Sequence, residues 1–552
     1  MNHINCLLLL LFSNLTFAQP QGDKASYSLH LVELVDKKGS LYSVFHPEEY
    51  LTAKALDRRL NQGILIDQLD LPISPNYIQK IVQLGAPIQG KSKWLNALAV
   101  HTESIKTLNK IKNLPFVKSV QPLGKFRNAK QGKLYSKRPP IDSSNHQANY
   151  YGLADRQIDM LKGKALHQLG YTGKGVHVAI VDGGFRNTYR MTVFDSLYLK
   201  DKLLGTQDFV DGDDFVYESS VHGTNVLSIM AANRPHLMVG TAPDASYYLF
   251  KTEDVRGEYK AEEFNWVVAL EHADSLGVDV VNSSMGYNRF RDTAMSYQYH
   301  DLDGKTTLIT QGANIATAKG IFIVNAAGNQ GHKDWHYLAA PADAPNVFTV
   351  AAVDEHQKRA NFSSWGPTYD GRIKPDVAAQ GSNTAYASMI KYDVGYGDGT
   401  SYACPVIAGM VASLKQAFPT LNNAIIQQAI RNNSHQATRP DSSLGYGIPN
   451  FWDTYLSLSD SSIFIQKTGA LNCSKKIIRT AAHVYVETTE QATVLELTLY
   501  NLWGQQLHQH HKELPANTIN KVSISNFQQY GSGVYALKIK IGDQTQWIEL
   551  VR

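Results

Sequence analysis

Cysteine is almost missing from this chain: 552 residues hold three. Cys6 lies in an apolar leader, Cys404 in an apolar run and Cys473 in a distant C-terminal segment, so no disulfide framework is expected. Long apolar runs are missing as well. After the leader no stretch approaches the ~18 residues that cross a bilayer, so no membrane span is expected. An excess of one charge sign is also lacking. The formal net charge is +4 with scattered Lys and Arg, which implies no nucleic-acid or acidic-surface partner.

What is present begins with residues 1–18, where Cys6-Leu7-Leu8-Leu9-Leu10-Leu11-Phe12 is too short to span a membrane. Thr16-Phe17-Ala18 offers a small-residue cleavage site before Gln19, so the segment reads as a secretory signal peptide. Cys6 lacks the preceding residues of a lipoprotein signal. A secreted or cell-surface protein, exported through the periplasm, is expected.

The most informative stretch is Gly399-Thr400-Ser401-Tyr402-Ala403-Cys404-Pro405, followed by the apolar run Val406–Val411. A serine there opens a buried helix, where free backbone N–H groups favour negative charge. That suits a nucleophile whose attack creates an oxyanion, although Gly-Thr-Ser also caps ordinary helices. Val176–Val181 is a short apolar strand ending in Asp182-Gly183-Gly184, and His222-Gly223-Thr224 opens another helical pattern. A hydroxyl nucleophile needs this set: a base to take its proton and a carboxylate to orient the imidazole. Ile321–Ala327 is a further buried-strand run that ends at Gly328-Asn329. By itself that pair reads as a turn. Beside the other three segments, an Asn amide at a strand end could donate to the oxyanion.

With Ser284-Met285-Gly286 and Phe362-Ser363-Ser364-Trp365-Gly366-Pro367, these pieces occur in the order of the subtilisin-like serine peptidases, the subtilases, which the chain resembles from about Gly173 to about Pro449. The resemblance implies a triad of Asp182, His222 and Ser401, with Asn329 in the oxyanion hole. It also implies that Ser284, Met285 and Gly286 bind an extended peptide by strand addition. Gly183 stands where the family usually has a hydroxyl, Tyr402 replaces a usual methionine, and Cys404 a usual alanine or threonine.

The flanks differ in pattern. Between 26 and 125, strands alternate with helices: Tyr27–Val35, a helical stretch from Glu48 to Leu60, a helix after Ser74-Pro75, then Trp94–Val100, Glu103–Lys112 and Phe116–Val120. This suggests a small ferredoxin-like α+β domain. The resemblance implies that it is an inhibitory propeptide, so the chain's own propeptide is an expected partner. Residues 126–150 read as a linker that carries the maturation site, and Asp155–Leu169 as a helix entering the core. Helices alternating with short apolar strands over 151–458 argue for a parallel sheet covered on both faces.

From 461 to 552 short strands recur: Val484–Val486, Val494–Tyr500, Lys521–Ile524, Gly533–Ile541 and Gln546–Val551, a β-sandwich pattern. Leu499-Tyr500-Asn501-Leu502-Trp503-Gly504 and Gly533-Val534-Tyr535 resemble the C-terminal sorting domains of the bacterial type IX secretion system, whose machinery would then be a partner.

The acidic run Asp208–Asp214 has calcium-type ligands but not EF-hand spacing, so a solvated loop is expected and structural calcium is left unassigned. His332 and His336 would suit zinc only on a helix, and the segment reads as loop, so no metal site is assigned. The expected whole is an α/β, subtilisin-like serine endopeptidase made as a zymogen, which cleaves protein or peptide substrates and requires no organic cofactor. The competing reading is an inactive adhesion or binding protein on a subtilase scaffold.

Overall fold

Seven short strands, apolar on both faces, pair side by side and in parallel, in the order Val377–Gln380, Phe348–Val353, Phe322–Ala326, Val280–Ser283, His177–Asp182, Ser246–Lys251, Leu203–Asp208. Such strands must be covered on both sides. In this computed structural model, which describes residues 28–125, 149–388, 393–459 and most of 462–551, helices do that. On one face Val178 and Ile180 pack with Val226 and Ile407, from helices His222–Ala231 and Thr400–Ala417. On the other, Ala179 and Val181 pack with Trp266 and Leu270 of helix Lys260–Leu276. Leu203–Asp208, at the sheet edge, is only half-buried. The expected signal peptide and the linker residues 126–148 lie outside the described residues.

The N-terminal unit is a four-stranded antiparallel sheet ordered Ile88–Ser92, Ala97–His101, Leu29–Leu34, Val117–Gly124. Helices Ala53–Gln62, Pro75–Gln83 and Ile105–Lys112 connect the strands. The strand Ile88–Ser92 is absent from the sequence-based expectation because its residues, IQGKS, are mostly polar. Ser74 is the residue before the second helix, but its hydroxyl makes no capping bond. The expected helix Asp155–Leu169 is split into Asp155–Asp159 and Lys164–Gln168. Between them Gly163 lies against Met410, where a Cβ would come within 2.6 Å of the sulfur.

This unit lies on helix Lys260–Leu276. Leu29, Leu31, Ala97, Ala99 and Leu123 form one apolar cluster with Phe264. At the polar end, Glu271 accepts hydrogen bonds from the Ser92 hydroxyl and from the N–H groups of Lys93 (2.7 Å) and Trp94 (3.1 Å). Arg59 bridges Asp70 (2.9 Å) and Asp274 (2.7 Å), and Lys319 reaches Asp70 at 2.9 Å, all deeply buried.

In the C-terminal segment a four-stranded sheet (Ala470–Cys473, Ser462–Thr468, His483–Glu487, Ile519–Ser523) and a five-stranded one (Ile477–Arg479, Gln544–Val551, Val534–Ile541, Thr493–Asn501, Gln506–Leu514) share one core. Val484, Val486 and Val522 of the first meet Leu497, Leu537 and Ile548 of the second.

Candidate active site

Parallel strands deliver their C-terminal ends to one edge of the sheet, and the candidate residues gather there. Asp182 is the last residue of its strand and is 1 % exposed. Its carboxylate faces His222, the first residue of its helix, whose Nδ1 lies 3.0 and 2.8 Å from the two oxygens. The hydroxyl missing at position 183 is replaced by backbone: the Gly183 N–H donates to Asp182 Oδ1 at 2.7 Å. Burial disfavours a charge on His222, but the Asp182 carboxylate, its hydrogen bond and the nearby Glu253 outweigh it, so the imidazole pKa is raised. The ring stacks on Tyr402, centroids 6.0 Å apart, and the Tyr402 hydroxyl accepts from Asn225 Nδ2 at 3.2 Å.

Ser401 sits in the first turn of helix Thr400–Ala417, nearly buried. Its hydroxyl donates to the Ser284 carbonyl at 3.4 Å rather than to His222. In active sites without substrate a hydroxyl-to-imidazole bond is often long or unmade. Two and three residues on, Ala403 and Cys404 are packed into the core, and the Cys404 thiol donates to the Val324 carbonyl at 3.3 Å. Burial pushes that thiol well above its usual range, so it is no second nucleophile.

Asn329 follows the end of strand Phe322–Ala326 and is exposed. Its Oδ1 accepts the Thr400 N–H at 2.9 Å and the Thr400 hydroxyl at 3.0 Å. A backbone N–H can only donate, so the other end of the amide is NH₂ and remains available as a donor beside Ser401. Ser284, Met285 and Gly286 continue beyond strand Val280–Ser283 without a ladder partner among the described residues. The segment is pinned from behind, by Ser284 Oγ donating to the Ser401 carbonyl (3.0 Å) and Asn325 Nδ2 donating to the Met285 carbonyl (3.1 Å).

One feature escaped the sequence reading. A cavity of about 380 Å³ adjoins Asp182, His222 and Met285, and its far wall carries Glu253, Glu258 and Glu262. Burial pushes all three carboxyls upward from their usual range, and repulsion from neighbouring acids adds to it at Glu253 and Glu262. The only hint in the sequence is the run Glu253-Asp254 directly after strand Ser246–Lys251, opposite the strand end that bears Asp182. The acidic run Asp208–Asp214 is not a bare loop: Lys251 Nζ lies 2.6 Å from Asp208 and 3.1 Å from Asp211 and supplies the cation within the chain. His332 and His336 do not lie on a helix, and His336 stacks on Trp365 at 4.5 Å.

Comparison with known proteins follows the same outline. A profile described as the Subtilase family matches residues 173–447, and one described as the peptidase S8 propeptide domain of Bacteroidota matches residues 29–137. Subtilisin E of Bacillus subtilis is 29 % identical over 371 residues, 66 % of this chain and 82 % of its own length. Subtilisin of Bacillus pumilus is 31 % identical over 294 residues, 52 % of this chain and 94 % of its own. The crystal structure of MycP1 with the N-terminal propeptide removed aligns over 54 % of this chain and 96 % of its own, at 23 % identity and a TM-score of 0.41. With one subtilisin almost wholly covered at this identity, the chain belongs to the subtilase family of serine peptidases and carries that family's propeptide.

Proposed function

We propose that this protein is a secreted serine endopeptidase whose triad is Asp182, His222 and Ser401. The observation that carries the reading is the pair of contacts from His222 Nδ1 to Asp182, which leaves Nε2 as the base for Ser401. His222 takes the Ser401 proton as Oγ attacks the scissile carbonyl, then returns it to the leaving amine. Asp182 holds the tautomer and offsets the imidazolium charge. The oxyanion is met by the Asn329 amide and the Ser401 N–H, while Ser284–Gly286 pairs with the extended substrate.

The N-terminal unit inhibits until it is removed. In support, strand Val117–Gly124 runs to Tyr259, against which Gly124 is packed so closely that a Cβ would come within 2.8 Å. The chain is thereby led from the helix surface toward the cleft. Cleavage then falls between Lys125 and Tyr151. The C-terminal sandwich is a type IX sorting domain that takes the protein out through the periplasm to the outside or the cell surface.

A fluorophosphonate reagent should label wild-type protein at Ser401 and leave Ser401→Ala unlabelled and proteolytically silent. Labelling elsewhere, or normal turnover in Ser401→Ala, overturns the triad and favours an inactive binding scaffold. Truncation after Phe527 removes strands Val534–Ile541 and Gln544–Val551 from the centre of the five-stranded sheet. The truncated enzyme should stay active but accumulate in the periplasm; normal export with weaker substrate binding would make the tail a binding module.

A further inference from the structure

The acidic wall of the cleft is the least explained feature of the catalytic unit. Glu253, Glu258 and Glu262 place carboxylate oxygens within 4.8 Å of one another. None of the three forms an ion pair with a cation among the described residues. Their oxygens differ in how they are held. Glu262 is committed to backbone, accepting the N–H groups of Asp254 (2.8 Å) and Tyr259 (2.9 Å) at the start of its helix. Glu253 is held by the hydroxyls of Tyr287 and Thr252. Glu258 is exposed at the cavity rim. Some buried acids elsewhere are neutralised by a lysine of the chain, as Lys251 does for Asp208 and Asp211 and Lys374 for Asp376, and others, such as Glu271, are enclosed by hydrogen-bond donors. The cleft differs from both, with three crowded carboxyls facing an open cavity that also touches His222 and Met285.

What fills that cavity is constrained by its position. A peptide paired along Ser284–Gly286 alternates its side chains. One face of such a peptide therefore turns its side chains to this cavity, which touches both Met285 and His222 and carries Glu253 and Glu258 on its wall. The protein's own chain points the same way. Lys125, where the N-terminal unit ends, lines a second cavity together with Asp254 and Glu262 on the same stretch of chain. The sequence that continues from it carries Lys125, Arg127, Lys130, Lys133, Lys137 and Arg138, with no acidic residue before Asp142.

Building on the serine-endopeptidase reading above, we propose that Glu253 and Glu258 form a specificity subsite that selects a lysine or arginine side chain at the residue just before the one whose carbonyl is attacked. A cation entering there meets carboxyl groups that have no cationic partner among the described residues and are shielded from bulk water on one side, where charge-assisted bonds are strongest. An acidic side chain in the same place would crowd a further carboxylate against them. The basic stretch after Lys125 then serves as the first substrate of the same subsite.

The test is cleavage of paired peptides by the mature enzyme, identical except for Lys, Arg, norleucine or Glu at that residue. Lys and Arg should exceed norleucine in kcat/KM by about tenfold or more, the size of one to two charge-assisted hydrogen bonds, with Glu lowest. Raised salt should narrow the gap. In Glu258→Gln, a change at an exposed position that leaves folding intact, the Lys-to-norleucine ratio should fall severalfold, and further in Glu253→Gln. Equal rates for Lys and norleucine in an enzyme that cleaves both overturn the subsite while leaving the triad standing. Failure to cleave any peptide, with no labelling of Ser401, instead overturns the peptidase reading. If calcium alone raises the melting temperature, Glu258→Gln abolishes that rise and the peptides show no charge preference, the trio is a cation site and the proposal is wrong.

Discussion

Ser284 Oγ donates to the carbonyl of Ser401 at 3.0 Å, and the reason lies four residues further on. In an α-helix the carbonyl of residue 401 would accept the N–H of residue 405, but Pro405 has none. The acceptor left empty by the proline is filled from the segment that would carry the substrate. The turn that bears Ser401 and the segment Ser284–Gly286 are thus tied to each other, and Asn282 Nδ2 braces the same hydroxyl at 3.2 Å.

Ser284→Ala should therefore cost more than a surface serine. It orphans a buried carbonyl, a loss of about 1–3 kcal/mol, and should lower kcat by loosening Ser401 against the cleft. Ser284→Ala combined with Pro405→Ala restores an N–H within the helix and should recover part of the stability. Thermal unfolding and kcat of the two single variants and the double variant check this. A double variant whose losses simply add would show that the carbonyl is satisfied in another way.

Asn329→Ala should lower kcat by roughly 10²–10³ with KM nearly unchanged, a magnitude carried over from the corresponding donor of subtilisin. Thr400→Val removes one of the two bonds that orient the Asn329 amide, so it should lower kcat by less, about tenfold. A change confined to KM in either variant would place Asn329 in ground-state binding.

The pH dependence follows from His222. Asp182 and Glu253 raise its pKa despite its burial, and the base works only when neutral. As pH falls through that raised pKa the imidazole takes up a proton, so the acid limb of kcat/KM should lie above the ordinary histidine value of about 6.5. Glu253→Gln removes the smallest of these contributions, from a carboxyl that burial itself pushes up to about 8, so the limb should move to lower pH only slightly. A limb that stays in place or moves upward contradicts the electrostatic role of Glu253.

Asp274 is fully buried between Arg58 and Arg59 of the N-terminal unit. Asp274→Ala in the unprocessed chain leaves two buried guanidinium groups short of a partner, a loss of about 3–5 kcal/mol. The same change after removal of the N-terminal unit leaves no such orphans and should cost far less. Melting temperatures of unprocessed Ser401→Ala and of mature enzyme, each with and without Asp274→Ala, separate the two. Equal shifts in both forms would mean that Asp274 supports the catalytic unit alone.

Much of this architecture is local in origin and therefore visible along the chain. The parallel strands are runs of apolar residues because both their faces are covered, and Asp182 and Asn329 stand where such runs stop. Val534–Ile541 announces itself by strict alternation of buried and half-buried positions. Gln506–Leu514 and Ile88–Ser92 do not, because each is largely polar and is held by backbone pairing to the adjacent strand of a hairpin rather than by an apolar face. The acidic wall was equally hidden: Glu253, Glu258 and Glu262 look like ordinary surface acids until one strand end, one loop and one helix start bring them around a single cavity. The identity and order of the chemical groups could be read residue by residue, since each needs only its own strand end or helix start. Which charges go unpaired is settled by packing alone, and so are which amide end faces Ser401 and which hydroxyl fills the place left by Pro405, contacts that span 71 and 117 positions of chain.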